Sequence, residues 1–262
     1  MVSFEHVLFA VEEAGIALVT VNRPERRNAL SRAAVRELGA AFDRLAEDPS
    51  IRAAIVTGAG DTAFVAGADI AEMAALSEAE MGQYALDGQR AFRRLETAGK
   101  PSVAAINGHA LGGGLELAMA ATVRFAAENA RLGQPEVKLG LIPGFGGTGR
   151  LPRLVGRGRA IEMLASGEPI DAGEAWRIGL VNAVVPRAEL LGRARAWLAN
   201  VLQNSPLAVR LAMQAVDTGL DCGLEEGMQL EAELFGSVAA SQDCREGMRA
   251  FLEKRAPAFT GK

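Results

Sequence analysis

The stretch "SVAAINGHALGGGLELAMA" (102–120) limits what this chain can fold into more than any other. An apolar run with strand character ends at Asn107, three glycines follow at 112–114, and an apolar helical run begins directly after them. A strand joined to a helix through glycines brings backbone against backbone, because glycine has no Cβ to hold the elements apart. The first N–H groups of such a helix have no intrahelical acceptor and lie at the positive end of its dipole. The junction therefore serves either close helix–strand packing or the gripping of a phosphate or an oxyanion.

Strands and helices alternate through the rest of the chain. "VLFAVEEAGIALVTVNRP" reads as two strands about a Glu-Ala-Gly turn, ended by Pro24. "SRAAVRELGAAFDRLAEDP" has helical spacing, with Ser31 as N-cap and Pro49 beyond its end. "RAAIVTG" is a short buried strand followed by a Gly- and Ala-rich loop, "FVAGADI". A second long helix opens at a capping box of Ser77 and Glu80. "TVRFAA" is a strand, "DAGEAWRIG" a short helix and "LVNAVVP" a last strand; from Arg187 onward four helical stretches follow. Strands separated by helices predict an α/β core with parallel pairing. The 262 residues suit one large domain, with or without an appendage. The helical tail from about residue 200 reads as that appendage.

Composition removes several classes of function. At 49% apolar and 23% charged the chain is ordinary soluble material with a sizeable core. A net charge of −4 argues against general nucleic-acid binding, although Arg150, Arg153, Arg157 and Arg159 form a local basic run. Two cysteines (Cys222 and Cys244) and two histidines give neither a metal-ligand spacing nor a disulfide framework, so a reducing cytoplasm is expected. The first residues lack the basic and apolar regions of a secretory signal, and no apolar run is long enough to span a bilayer. Glycine, at 30 residues, exceeds the roughly 7% average that would give about 18, which points to many close backbone approaches.

One glycine cluster invites a misreading. "GFGGTG" (144–149) fits the dinucleotide spacing G-x-G-x-x-G, which carries meaning only between a buried strand and a helix, with an acidic residue about 20 positions on. Here "RLGQPEVKLGLIP" precedes it, broken by polar residues and ending in Pro143, and no acid ends a strand further on. The stretch reads as a tight loop whose backbone approaches something else.

Two carboxylates stand where acid/base chemistry could use them. Glu116 lies in "GGGLELAMAA", among residues that an ordinary buried helix would make apolar. One glutamate in a first turn more commonly complements the dipole or faces solvent. Glu136 follows Pro135 in a low-charge loop, with Lys138 close enough for a surface ion pair. If the two converge beside oxyanion donors, with their pKa values pushed apart, they form an acid/base site. His109 is a candidate base or a substrate-lining core residue, and His6 has no assigned role. No G-x-S-x-G, H-E-x-x-H or P-loop lysine is present.

"FVAGADIAEM", "INGHALGGGLELAMA", "RLGQPEVKLGLIPGFGGTGRLPRLVG" and "REGMRAFLEKR", in that order, resemble the enoyl-CoA hydratase (crotonase) family, and the likeness runs from "VNRPERRNAL" to the C-terminus. The resemblance implies the ClpP/crotonase fold of repeated ββα units over 1–200, with a helical region over 201–262 for trimerisation. It implies an oxyanion hole from the N–H groups of Ala68 and Gly113, and a water held between Glu116 and Glu136. Glu116 is then matched to the water and Glu136 to the α-carbon proton. Ala66, Asp69 and Ile70 match positions near the CoA adenine, Arg26 and Arg27 lie where CoA phosphates are held, and Gly144 matches a position beside the water. The implied substrate is an acyl-CoA thioester, with no further cofactor, no metal, no nucleic acid and no membrane. The implied assembly is a homotrimer or homohexamer, to whose CoA sites Phe251 and Lys254 can come from a neighbouring chain. Gly149 departs from the family, many members of which carry glutamine there.

Family members run several reactions on one enolate-stabilising scaffold, so fold alone does not settle function. Two glutamates favour hydration of a trans-2-enoyl-CoA; a Δ3,Δ2-enoyl-CoA isomerase, or a bifunctional hydratase/isomerase, is the alternative. A non-catalytic CoA- or RNA-binding relative is the reading from another class, and the retained carboxylates and acidic balance speak against it.

Overall fold

From Ala53 to Gly133 successive strands alternate between two sheets in the computed structural model, which describes residues 4–262. The first sheet holds β1 (Val7–Val11), β2 (Ile16–Val21), β3 (Ala53–Gly58), β5 (Ser102–Ile106), β7 (Val123–Ala127) and β10 (Ala183–Val185) in the order β1-β2-β3-β5-β7-β10. Only β1 and β2 are antiparallel, with Val7 opposite Val21; the other neighbours run parallel. The second sheet orders β4 (Ala63–Val65), β6 (His109–Leu111), β8 (Arg131–Gly133) and β9 (Ile170–Asp171), with β4, β6 and β8 parallel. The pairs β3–β4, β5–β6 and β7–β8 thus each send one strand to each sheet, whereas β1 and β2 stay together in the first. Strand pairs followed by helices are the ββα units of the crotonase-like fold.

The helices are α1 (Arg32–Glu47), α2 (Ile70–Met73), α3 (Glu78–Glu96), α4 (Gly113–Met119), α5 (Gly147–Ser166), α6 (Ala172–Arg177), α7 (Leu190–Val201), α8 (Pro206–Gly219), α9 (Leu224–Ala239) and α10 (Gln242–Glu253). Ser31 caps α1 by accepting from the Ala34 N–H at 3.1 Å, and Ser77 and Glu80 make the reciprocal capping box on α3. α1 buries Val35, Leu38, Ala41, Phe42 and Leu45 along one stripe and packs on α3, which buries Tyr84, Ala91, Phe92 and Leu95. Every residue of β3 and β5 is buried, as expected of parallel strands covered on both faces. Fully burying one of these larger side chains contributes about 1.5–3 kcal/mol, so the β3–β5 layer with α1 and α3 supplies much of the hydrophobic core.

"FVAGADI" departs from a plain loop. Phe64 and Val65 complete β4, Leu30 and Ala68 form an isolated parallel bridge, and Asp69 caps α2 by accepting from the Glu72 N–H. A three-residue strand and a four-residue helix are too short for periodicity to reveal.

The chain divides into two compact units, one ending at Ala196 and the other spanning Trp197–Lys262. In the second, α8 packs on α9, and Asp243 of α10 ties down the C-terminal segment by accepting from the N–H groups of Thr260 (2.7 Å) and Gly261 (3.0 Å). Among the described residues no helix is long and apolar enough to cross a membrane.

Candidate active site

Because β4, β6 and β8 are parallel, their C-terminal ends share one edge of the second sheet. Ala66–Ile70 leaves β4 there, the glycine cluster leaves β6, and Gln134–Glu136 leaves β8. Three segments far apart in sequence are thereby placed side by side.

Two of them present backbone donors. Gly112 takes φ 51° and ψ −124°, a conformation that only glycine adopts readily, and this turns the chain from β6 into α4. Gly113 is the first residue of α4, and the first intrahelical bond runs from the Glu116 N–H to the Gly112 carbonyl. The Gly113 N–H is therefore one of the helix's orphan donors. On the neighbouring loop, the Leu30 N–H donates to Gly67 O and the Asp69 N–H to Leu30 O, both at 2.8 Å. Leu30 thus bonds to the residues on either side of Ala68, which leaves the Ala68 N–H pointing away from it. The two loops touch: a Cβ on Gly112 would lie 3.8 Å from the Gly67 Cα, and one on Gly114 would collide with the Val65 carbonyl at 1.9 Å.

Glu116 is 1% exposed, on the first turn of α4. Its Oε1 accepts from the Phe145 N–H at 2.8 Å and from the Gly147 N–H at 2.6 Å. The Phe145 ring stands edge-on to Tyr84 and Phe92, at centroid distances of 5.0 and 5.6 Å. Burial dominates the carboxyl's ionisation and pushes it up to about 7; the Gly147 and Phe145 donors oppose that, and the Glu136 carboxylate adds to it. Glu136 opens a 3-10 turn, Glu136–Leu139, and burial pushes its carboxyl up to about 6. Gln134 is entirely buried and, with its amide turned to match its partners, donates Nε2–H to both Glu136 oxygens at 2.9 and 3.1 Å. A Cβ on Gly112 would come 2.8 Å from Glu136 Oε1, so the second carboxyl lies against the glycine cluster. Lys138 pairs with Glu168 at 2.6 Å rather than with Glu136.

The site thus brings together Ala68, Gly113, Glu116 and Glu136. Around it, Asp69 binds Arg23 at 3.0 Å, and the Ala66 N–H donates to the Arg27 carbonyl at 3.1 Å. Arg26 and Arg27 are exposed, Ile70 is 49% exposed, and the Gly144 carbonyl accepts from Gln89 at 2.8 Å. His109 is half-buried on β6, with Nδ1 buried and without a hydrogen-bond partner, and His6 precedes β1. Among the described residues no three His, Cys, Asp or Glu side chains converge as a metal-ligand set.

"GFGGTG" does open a helix, but the N–H of that helix's first residue, Gly147, binds the protein's own Glu116 carboxylate. Gln134, Phe145 and Arg23 carry weight at the site that their types do not announce. Gln134 lies two residues before Glu136 within a motif already singled out, and a neutral amide gives no warning that it is buried.

The family described as enoyl-CoA hydratase/isomerase matches residues 11–262. The crotonyl-CoA hydratase of Syntrophomonas wolfei is 46% identical over 99% of this chain and 100% of its own. The short-chain-enoyl-CoA hydratase of Clostridium acetobutylicum is 45% identical, covering 93% and 94%. The crystal structure of an enoyl-CoA hydratase from Bacillus anthracis superposes with a TM-score of 0.95 at 39% identity, covering 98% of this chain and all of that one.

Proposed function

The chain belongs to the enoyl-CoA hydratase/isomerase family, and from that premise we propose that it adds water across the double bond of a trans-2-enoyl-CoA to give the 3-hydroxyacyl-CoA. The observation that carries this reading is the pairing of two carboxyls, Glu116 and Glu136, both pushed up toward neutrality by burial, with two backbone donors, Ala68 and Gly113, on one sheet edge.

In this mechanism the thioester carbonyl oxygen sits between the Ala68 and Gly113 N–H groups. Water attacks C3, the C2=C3 electron pair moves toward the carbonyl, and the negative charge collects on the thioester oxygen. Donors fixed in place before the reaction stabilise that charge without reorganising, and one such donor is typically worth about 3 kcal/mol. Glu116, aimed by Phe145 and Gly147, orients the water and takes its proton. Glu136, aimed by Gln134, delivers a proton to C2 and completes the addition, and proton exchange with solvent then returns Glu116 to its ionised form and Glu136 to its protonated form. Carboxyl groups brought close to neutrality hold and release protons with little penalty in either direction.

The acyl-CoA thioester is then the substrate, and the protons come from water and the two glutamates. The backbone of Ala66, Asp69 and Ile70 would take the adenine, Arg26 and Arg27 would meet the CoA phosphates, and Gly144 would flank the water. The second unit exposes Leu224, Phe235, Phe251 and Leu252, at 73–82%, and in our reading these meet other copies in a homotrimer or homohexamer. Lys254 ends α10 in a left-handed conformation, and it would reach a neighbour's CoA site together with Phe251. Cys222 and Cys244 are free thiols, which fits a cytoplasmic location.

Crotonyl-CoA is the first substrate to test, by loss of the enone absorbance, with longer enoyl-CoAs and a 3-enoyl-CoA beside it. Hydration of a trans-2-enoyl-CoA supports the reading. Conversion of the 3-enoyl-CoA with no hydration of any 2-enoyl-CoA would replace it with the isomerase.

A further inference from the structure

We propose that Arg150 is a positioning residue for Glu116, anchored by Glu96, so that an ion pair at the end of α3 governs the carboxylate that handles the water. The inference rests on the reading of Glu116 given above.

Arg150 lies in the first turn of α5 and uses all three of its guanidinium nitrogens. Nε and Nη2 make a fork on Glu96, at 2.5 Å to Oε1 and 3.1 Å to Oε2. Nη1 donates to the Phe145 carbonyl at 2.6 Å. The N–H of that same Phe145 holds Glu116, and the other donor to Glu116, Gly147, lies only two residues on. Both donors therefore belong to one short turn, and Arg150 clamps it from beneath. Gly146, between them, has φ 107°, and a Cβ there would come 2.3 Å from Arg150 Nη1. The guanidinium is packed flat against the turn, in space that any side chain at 146 would fill.

An ordinary surface ion pair does not look like this. The Arg150 and Glu96 side chains are 16% and 18% exposed, and pairs withdrawn from water seldom repay their desolvation in stability alone. A fork with a carbonyl contact fixes a plane and a distance, which a lysine cannot reproduce. Arg150 also brings a permanent positive charge close to Glu116, and that charge favours the ionised form against the effect of burial. The other charged groups facing this cluster are Glu136, from the 3-10 turn, and Glu96 itself, which also pairs with Arg93 of α3 at 3.3 Å. Tyr84 of α3 faces it as a neutral hydroxyl. Glu96 partly cancels the field of Arg150, so removing either member of the pair should act on Glu116 in opposite directions.

The test is the pH dependence of kcat for crotonyl-CoA hydration in the full-length protein. Glu116 must be ionised to accept a proton from water, so kcat rises with pH through its ionisation. Arg150→Met should lower kcat about tenfold or more with KM within about threefold, and should move that acid limb up by about half a pH unit or more. Glu96→Gln should move the limb down, since Arg150 then acts uncancelled. Arg150→Lys keeps the charge without the fork, so kcat should fall with the limb in place; this variant also serves if Arg150→Met does not fold. Limbs that stay at the wild-type pH in both Arg150→Met and Glu96→Gln, or that move the same way, would overturn the proposal and leave a packing role. Glu116→Gln separates the two levels. Wild-type rate in that variant overturns the reading of Glu116 itself, and the clamp with it, whereas a disabled Glu116→Gln beside unmoved limbs overturns the clamp alone.

Discussion

Tyr84 donates its hydroxyl to the Leu30 carbonyl at 2.7 Å, and this one bond ties α3 to the segment that holds Ala68. The ring is buried, and burial with the nearby Glu72 and Asp69 carboxylates pushes the phenol far above its ordinary range, so it stays a donor at any working pH. The Leu30 carbonyl also accepts from the Asp69 N–H at 2.8 Å. Tyr84→Phe thus leaves that carbonyl with one partner and should cost only about 1 kcal/mol of stability. Activity should fall a few-fold, through looser placement of the Ala68 donor. Urea midpoints and kcat/KM for crotonyl-CoA check both, and an unchanged kcat/KM would detach Tyr84 from the oxyanion site.

Glu116 ties stability to pH, with a definite sign. Its carboxyl titrates at about 7 in the folded chain against an ordinary 4.5, so the native state holds the proton more tightly than the unfolded chain. That contribution is full below about 4.5 and is lost as pH rises through 7, leaving an ionised buried carboxylate that costs about 3 kcal/mol relative to the acid end. Glu136 acts in the same direction over a narrower span, to about 6. Glu116→Gln keeps an oxygen to accept from Phe145 and Gly147 and cannot ionise. The variant should be more stable than wild type at pH 8, by an amount that shrinks toward pH 5. Denaturant titrations across that range decide it, and a difference independent of pH would show that Glu116 does not carry the linkage.

Much of this arrangement is visible from local pattern alone. Ser31, the Ser77–Glu80 box and the strand–glycine–helix run at 102–120 work through neighbours within one turn, and each is legible in a few residues. Glu116 stands out as an acid in an apolar helix. What stays hidden depends on contacts distant in sequence. Phe145 and Gly147 meet Glu116 from 29 and 31 residues away, and Glu96 meets Arg150 across 54. Arg150 accordingly reads as one member of a basic run, and Lys138 as a partner for Glu136, although it turns instead to Glu168. The strands β4, β8 and β9 have two or three residues each, too few to show alternation, yet β4 and β8 place two of the three site segments.

Gly112 is a position where conformation and space both exclude a side chain. Its φ of 51° with ψ of −124° is strained for any residue with a Cβ, and that Cβ would press on Glu136 Oε1 at 2.8 Å. Gly112→Ala should lose about 1–3 kcal/mol from the backbone alone. It should also lose about a hundredfold or more in kcat, because both the Gly113 donor and Glu136 move. Thermal unfolding beside steady-state kinetics separates the two effects. A variant that kept near-wild-type kcat would mean that Glu136 and the α4 N-terminus are not coupled through this turn.

Gln134 offers the cleanest separation of activity from stability. Its amide donates to both oxygens of Glu136 and is fully buried, so it fixes the carboxyl's orientation from a position that solvent cannot supply. Gln134→Met keeps similar length and bulk but removes the donor. Burying a thioether in place of an amide relieves the need to satisfy a polar group, which offsets part of the lost hydrogen bonding, so stability should change by less than about 1.5 kcal/mol. Glu136, already pushed up by burial to about 6, should rise further once its donors are gone. Proton delivery to C2 should then slow about tenfold or more, with acyl-CoA binding little altered. Exchange of the C2 proton with deuterated water, followed by NMR on the saturated butyryl-CoA, reports on that step without the hydration equilibrium. Undiminished exchange in Gln134→Met would show that Glu136 does not depend on this amide for its aim.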